Sequence, residues 1–198
     1  MDIVLDTPLT VGFQVAPREA EMALLESARA MNRDALVEIF DTYSLALYNY
    51  AFRLCNDSLM ADYIVGDVFA KLMEQFSIGR GPNTNLRSYL YEMTYHVIVD
   101  QARSSHREVS LESAEFLYYD SHSAFTILEN QILLEAIQRA IRSELTELQR
   151  HVIVLRFLEG FSLRETATIV KKEVNYVKVI QNRAITTLRK VLDYKVTE

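Results

Sequence analysis

Ser162-Leu163-Arg164-Glu165-Thr166-Ala167-Thr168-Ile169-Val170 is followed at once by Lys171-Lys172-Glu173 and then by a long run from Val174 to Leu192. The first stretch reads as a short helix, the three charged residues as a turn, and the last run as a second, longer helix. At 100° per residue, Val174, Val177, Ile180, Ala184, Ile185, Leu188 and Val191 gather on one face of that second helix. They are expected to face a core. Asn175, Tyr176, Val179, Asn182, Arg183, Thr186 and Lys190 lie opposite. A short helix, a tight turn and a helix with a polar outer face make a helix-turn-helix, whose second helix enters the DNA major groove. Asn and Arg make bidentate contacts with base edges, and Val179 suits a thymine methyl. Arg164, Lys171, Lys172 and Lys178 suit phosphates, which position a protein without specifying sequence.

Upstream of this unit, three helix-start signals follow one another: Thr126…Glu129, Thr146…Gln149 and Ser162…Glu165. Each pairs a cap hydroxyl with a carboxylate or amide three residues on, so that both satisfy backbone N–H groups. Gly160 stands where a helix bearing Leu148, Val152 and Leu155 must end in a left-handed residue. The chain carries a net charge of −6, which by itself argues against a nucleic-acid partner. Its distribution argues otherwise. Residues 171–195 hold 7 basic and 2 acidic residues, and residues 130–198 are net +4, against −10 for residues 1–129. Basic charge therefore sits where phosphates would lie. The acidic part suits solubility or a basic protein partner.

The first half holds a separate helical block. Residues 1–18 contain two of the three prolines, show no period and read as a mobile tail. Residues 19–31 are strong helix formers. Leu36, Ile39, Phe40, Tyr43, Leu47, Tyr50, Ala51 and Leu54 then recur at helical spacing and are expected in the core. Asn56-Asp57-Ser58 punctuates. A third helix carries Ile64, Val68, Leu72 and Phe76, residues 77–85 form a loop, and a fourth helix carries Leu86, Leu90, Met93 and Val97. The periodicity then fails, and Ser, His and acidic residues dominate up to residue 125. The organisation expected is all-α: a helical domain over 19–105, a flexible linker over 106–125 and a helix-turn-helix domain over 126–198.

Composition narrows the function classes. Nearly half of the 198 residues are hydrophobic, which suits a packed core. Cys55 is the only cysteine, so neither an internal disulfide nor a cysteine-based metal site can form, and it reads as a small core residue. No basic-then-apolar leader and no run of ~20 apolar residues is visible, which points to a cytoplasmic protein without membrane insertion. There is no phosphate-binding loop, His-Glu-x-x-His motif or nucleophile elbow, and His96, His106, His122 and His151 are scattered. No enzyme and no cofactor is expected. Tyr89, Tyr91 and Tyr95, near a basic helix end, are the aromatics best placed to touch bases; Tyr43, Tyr48, Tyr50 and Phe52 read as packing residues.

Taken together, the two blocks resemble the extracytoplasmic-function sigma factors, two-domain initiation subunits of bacterial RNA polymerase. Asp34-Ala35-Leu36…Phe40-Asp41-Thr42-Tyr43 is similar to the family's opening helix. Ala61-Asp62-Tyr63-Ile64-Val65-Gly66-Asp67-Val68-Phe69 resembles the segment that binds the polymerase clamp helices. Leu86-Arg87-Ser88-Tyr89-Leu90-Tyr91…Asp100-Gln101-Ala102-Arg103 resembles the segment that opens the −10 element. Leu145-Thr146-Glu147-Leu148-Gln149-Arg150, Leu155-Arg156-Phe157-Leu158-Glu159-Gly160-Phe161-Ser162, Val177-Lys178 and Arg183-Ala184 resemble the −35-binding domain.

The resemblance implies three sets of site residues. Asp62, Ile64, Val65, Asp67, Phe69 and Leu72 would bind polymerase. Asn83, Asn85, Tyr89, His96, Asp100, Arg103 and Arg107 would contact the −10 element, the loop 77–85 receiving a flipped base. Arg164, Lys171, Lys172, Asn175, Tyr176, Lys178, Val179, Asn182 and Arg183 would contact the −35 element. The partners implied are core RNA polymerase, through its clamp helices and flap, promoter DNA and an anti-sigma factor. Tyr63, Gly66, Glu92, Tyr95 and His96 depart from the family pattern. So do Lys171, which stands at the turn glycine, and Lys172, which stands at an apolar position whose packing Val174 is expected to supply. These departures motivate an alternative, a degenerate sigma-like protein that binds polymerase or a regulator without opening promoters. A lone helix-turn-helix regulator is disfavoured, since no dimerisation helix is evident.

Overall fold

The computed structural model describes residues 18–105 and 137–196. The expected tail up to residue 17, the linker 106–125, Arg107 and the Thr126…Glu129 capping box lie outside the described residues. Among the described residues every regular element is helical: α1 (Arg18–Arg29), α2 (Arg33–Cys55), α3 (Ser58–Ser77), α4 (Leu86–Ser105), α5 (137–144), α6 (Glu147–Ile153), α7 (Leu163–Ile169) and α8 (Val174–Val196).

Local chemistry sets the boundaries. The Asn32 side chain accepts from the Ala35 N–H at 3.1 Å and starts α2. Asn56, with φ 56°, ends α2 in the left-handed region that Asn tolerates better than most residues. Asp57 at once caps α3 by accepting from the Met60 N–H at 3.0 Å. Two residues thus separate helices of 23 and 20 residues. The start of α4 is capped from another helix: the Glu21 carboxylate of α1 accepts from the N–H groups of Asn85, at 3.1 Å, and Leu86, at 2.9 Å. Both expected capping boxes form, at Thr146 with Gln149 and at Ser162 with Glu165. Gly160 adopts φ 71°, as the end of the preceding helix requires.

α2, α3 and α4 pack together with α1 across them, while α6 and α7 both pack on α8. The stripe Ile64, Val68, Leu72 and Phe76 is buried in the first block, as are Leu86, Leu90 and Val97. Ile141, Leu145, Ile153 and Ala184 form a smaller core of the second block. The larger cluster does not stop at the block boundary. It runs from Leu25 to Ile98 and on through Val152, Leu155, Phe161 and Val170 to Ile180. α4 lies directly against α7.

Three expectations are corrected. Phe40, expected in the core, is 46% exposed, because α2 carries apolar residues over a wider arc than its neighbours cover. Val174 is 36% exposed and supplies no packing in place of Lys172: it opens α8 ahead of the first turn buried through Val177. Tyr91 is fully buried between the blocks and has no surface to offer a base. Tyr50, read as a packing residue, is fully buried too, and its hydroxyl meets His151 Nδ1 at 2.7 Å. Burial raises the Cys55 thiol to about 11, which keeps it in its unreactive neutral form.

Two predictions follow from this packing. Burial, with Arg150 adding to it, holds His151 neutral by lowering its pKa from 6.5 to about 3. Tyr50 and the edge of Tyr95 pack against the ring. The unfolded chain takes up this proton below pH 6.5 and the folded chain does not. Stability is thus full above pH 6.5 and falls with pH toward 3, by about 1.4 kcal/mol per unit from this group. Urea denaturation at pH 7.0 and 5.5 should show that loss in the wild type and a smaller one in His151→Gln. Gly66 lies in α3 with nothing within 4 Å of a Cβ built on it, so the glycine serves no close approach. Gly66→Ala should raise stability by about 0.5–1 kcal/mol in the same assay.

Candidate nucleic-acid and partner interface

α7 and α8 form the helix-turn-helix. Thr166, Ala167 and Ile169 of α7 face inward with Val177, Ile180 and Ala184 of α8, and all six are buried. This pins the rotation of α8 about its axis. Arg164, Lys171, Lys172, Asn175, Tyr176, Lys178, Val179, Asn182 and Arg183 are consequently all exposed. Tyr176 and Val179 are 47% and 44% exposed on the same face. The Thr186 hydroxyl is bonded back to the Asn182 carbonyl at 2.9 Å, so it serves the helix. Lys171 has φ 53°, which accounts for a glycine at this place in the resembling family. Its ammonium pairs with Glu92 of α4 at 2.5 Å.

The residues expected to contact the −10 element are spread along one loop and helix. Asn83, Asn85, His96, Asp100 and Arg103 are exposed, and Tyr89 is half-buried. The loop carrying the two asparagines is anchored rather than free. Arg29 of α1 donates to the Pro82 carbonyl and, at 2.8 Å, to Asn83 Oδ1. Gly81, with φ 116°, passes so close to Phe76 that a Cβ would lie 2.8 Å from the ring. Asp100 and Arg103 stand 3.7 Å apart on the helix surface.

The residues expected to bind polymerase divide in two. Asp62 is exposed and Asp67 half-buried, the latter paired with Lys71 at 2.8 Å. Ile64, Val65, Phe69 and Leu72 are instead core residues, each at most 8% exposed, and their side chains serve the packing of α3. The exposed apolar groups near them are different ones: Val37 and Phe40 on α2, and Leu59, Tyr63 and Met73 on α3. The Phe40 and Phe69 rings stand 4.8 Å apart, so a core residue supports a surface one. The signal for this patch was present in α2, where Leu36-Val37 and Ile39-Phe40 carry more apolar surface than one buried stripe uses.

A second set of contacts escaped the sequence reading altogether. Glu159, at the end of a π-helical turn over Val154–Leu158, reaches back to the first block. Its carboxylate accepts from Arg53 at 2.5 Å and from the Tyr91 hydroxyl at 2.6 Å. Its carbonyl accepts from Arg87, whose guanidinium lies 4.0 Å from the Phe161 ring centroid. Burial lifts the Glu159 carboxyl above its ordinary value, and the Tyr91 hydroxyl with Arg53 and Arg87 holds part of that rise back. Partners 68, 72 and 106 residues apart in sequence leave no local pattern by which to find them.

No group of His, Cys, Asp and Glu among the described residues could hold a metal ion, and none of the described helices is long and apolar enough to cross a membrane. The chain matches the family models "Sigma-70 region 2" at residues 39–108 and "Sigma-70, region 4" at residues 143–190. It is 26% identical over 177 residues to the ECF RNA polymerase sigma factor BldN of Streptomyces coelicolor, covering 86% of this chain and 65% of that protein. It is 24% identical over 160 residues to the ECF RNA polymerase sigma factor SigX of Bacillus subtilis, covering 78% and 82%. Its fold is similar to that of the sigma factor RpoE in the complex with the anti-sigma factor NepR from Bartonella quintana, with a TM-score of 0.64 at 22% identity over 79% of this chain and 95% of that one. CnrH in complex with the cytosolic domain of CnrY is similar at a TM-score of 0.63 and 20% identity, over 88% and 98%. Two family models in the order of the two helical blocks, with relatives that span both, place this chain in the sigma-70 family, among its extracytoplasmic-function sigma factors.

Proposed function

We propose that this chain directs promoter-specific initiation by binding core RNA polymerase in the cytoplasm, opening the −10 element with α3–α4 and reading the −35 element with α8. The observation that carries this reading is the outer face of α8. The buried inner residues turn Asn175, Lys178, Val179, Asn182 and Arg183 outward together, and that face sits in the most basic stretch of the chain. Asn182 and Arg183 read base edges, while Lys172 and Lys178 meet phosphates. Asn83, Asn85 and Tyr89 line the start of α4, where a flipped base would be held by stacking and hydrogen bonds.

Polymerase binding falls to the exposed patch rather than to the buried stripe. Phe40, Tyr63 and Met73, flanked by Asp62, offer an apolar centre with an acidic rim, which suits the clamp helices; the second block would meet the flap. An apolar surface of this kind also suits an anti-sigma factor, the type of partner bound in the complex of the similar RpoE.

Run-off transcription with purified core polymerase on a pooled library of upstream genomic DNA tests the whole reading. Transcripts dependent on this protein are expected. Asn182→Ala with Arg183→Ala should reduce them at least tenfold, since each bidentate base contact is worth about 1–3 kcal/mol. No transcripts together with retained polymerase binding would favour the non-initiating adaptor. Phe40→Ser with Tyr63→Ser should weaken core polymerase binding at least tenfold in a titration and lower the melting temperature by only a few degrees, because both side chains are about half exposed.

A further inference from the structure

We infer that Arg29 of α1 decides which base the loop 77–85 accepts, by locking the Asn83 amide so that it offers that base a donor and not an acceptor. The inference deepens the promoter reading above and rests on it for the base. The lock itself is made of contacts within this chain.

The loop is pinned along its whole length. At its start the Gly79 N–H donates to the Phe76 carbonyl at 2.9 Å, and the Arg80 N–H to the Gln75 carbonyl at 2.8 Å. Gly81 then lies against the Phe76 ring, where a Cβ has no room. At its end the Glu21 carboxylate accepts from the N–H groups of Asn85 and Leu86. Asn85 holds φ 59°, in the left-handed region. In the middle, Arg29 Nη2 donates both to the Pro82 carbonyl and, at 2.8 Å, to Asn83 Oδ1. Two side chains of α1 thus fix a loop that has no helix or strand of its own.

The contact with Arg29 also settles the Asn83 amide. Arginine carries only donors, so the arm of the amide that meets it must be the oxygen. The NH2 is the arm left over. Asn83 is exposed, and its NH2 has no partner among the described residues. A cationic donor on the oxygen polarises the amide and strengthens its N–H donors. An unrestrained Asn reads adenine through both arms, accepting from the exocyclic amine and donating to a ring nitrogen. With its oxygen on Arg29, Asn83 loses the accepting arm of that pairing. The donor that remains suits a carbonyl oxygen. Thymine, cytosine and guanine each carry one, and adenine carries none. The half-buried Tyr89 ring, one turn into α4, stacks on any base and makes no such choice. Asn85, whose side chain has no partner among the described residues, keeps both arms and makes none either. The discrimination therefore falls to Asn83, and Arg29 is the residue that positions it.

The test is selection from a random-sequence single-stranded DNA library by the holoenzyme, the full chain with core polymerase, and sequencing of the bound pool. A motif that depends on this chain is expected, with adenine depleted about fivefold at one position, the effect of one hydrogen bond. No motif at all overturns the promoter reading and this inference together. A motif without such a position overturns this inference alone. Arg29→Met keeps the aliphatic stem and removes the donors. It should return adenine to that position and leave the rest of the motif unchanged, and Arg29→Lys should restore the depletion. A uniform weakening of the whole motif, the mark of a merely structural role, overturns the assignment. Should Arg29→Met lose its helical circular dichroism, Asn83→Asp decides. It keeps an oxygen on Arg29 and replaces the NH2 with an acceptor, so the same position should turn to bases with an exocyclic amine. An unchanged preference overturns the inference. Finally, the selected strand is made with adenine or hypoxanthine at that position, which differ there in an amine against a carbonyl. Hypoxanthine should bind wild type about fivefold more tightly and Arg29→Met equally. Equal binding of the two strands to wild type overturns the lock.

Discussion

The Glu159 carboxylate sets the shape of this protein. It sits between the two helical blocks with its side chain only 8% exposed, and its partners come from α2 and α4 of the first block. A carboxylate in so dry a place is tolerable only when every oxygen is satisfied. Arg53 and Tyr91 supply the donors to the side chain, and Arg87 supplies one to the carbonyl of the same residue. The π-helical turn over Val154–Leu158 ends at this residue. Turns of this type are uncommon and tend to mark functional positions.

Around that charge the aromatic residues arrange themselves. Tyr50, Tyr91 and Phe161 are all buried, with Tyr50 and Tyr91 5.2 Å apart and Tyr91 and Phe161 4.7 Å apart by ring centroid. Pairs in such tilted and edge geometries contribute about 0.5–1.5 kcal/mol each beyond the area they bury. The joint is thus strong in its apolar part and exacting in its polar part.

The joint also divides the surfaces by availability. The outer face of α8 is exposed, since its rotation is set by the buried residues of its inner face. The apolar patch of Phe40, Tyr63 and Met73 is likewise open. The contact between the blocks covers the α4 face that bears Arg87, Tyr91 and Glu92. The departures from the family pattern at Glu92 and Lys171 meet there as one ion pair, which links two substitutions that look unrelated along the chain.

Helix positions, caps and the outer face of α8 were legible in the sequence because they depend on neighbours within four residues. Asn56-Asp57, Thr146…Gln149 and Ser162…Glu165 act through local backbone groups, and the period of α8 alone separates its buried from its exposed side. Where the sequence reading failed, a longer range was at work. Ile64 and Phe40 are both apolar at helical spacing, and only the placement of α2 against α3 decides that the first is core and the second surface. Tyr91 reads as free for a base along the chain, and only folding brings Phe161 and Glu159 over it. Local spacing sets the helices, the two-block order and the polar outer face of α8. Tertiary packing sets which apolar groups remain exposed and joins Glu159 to Arg53 and Tyr91, because residues a hundred positions apart interact only after folding has brought them together.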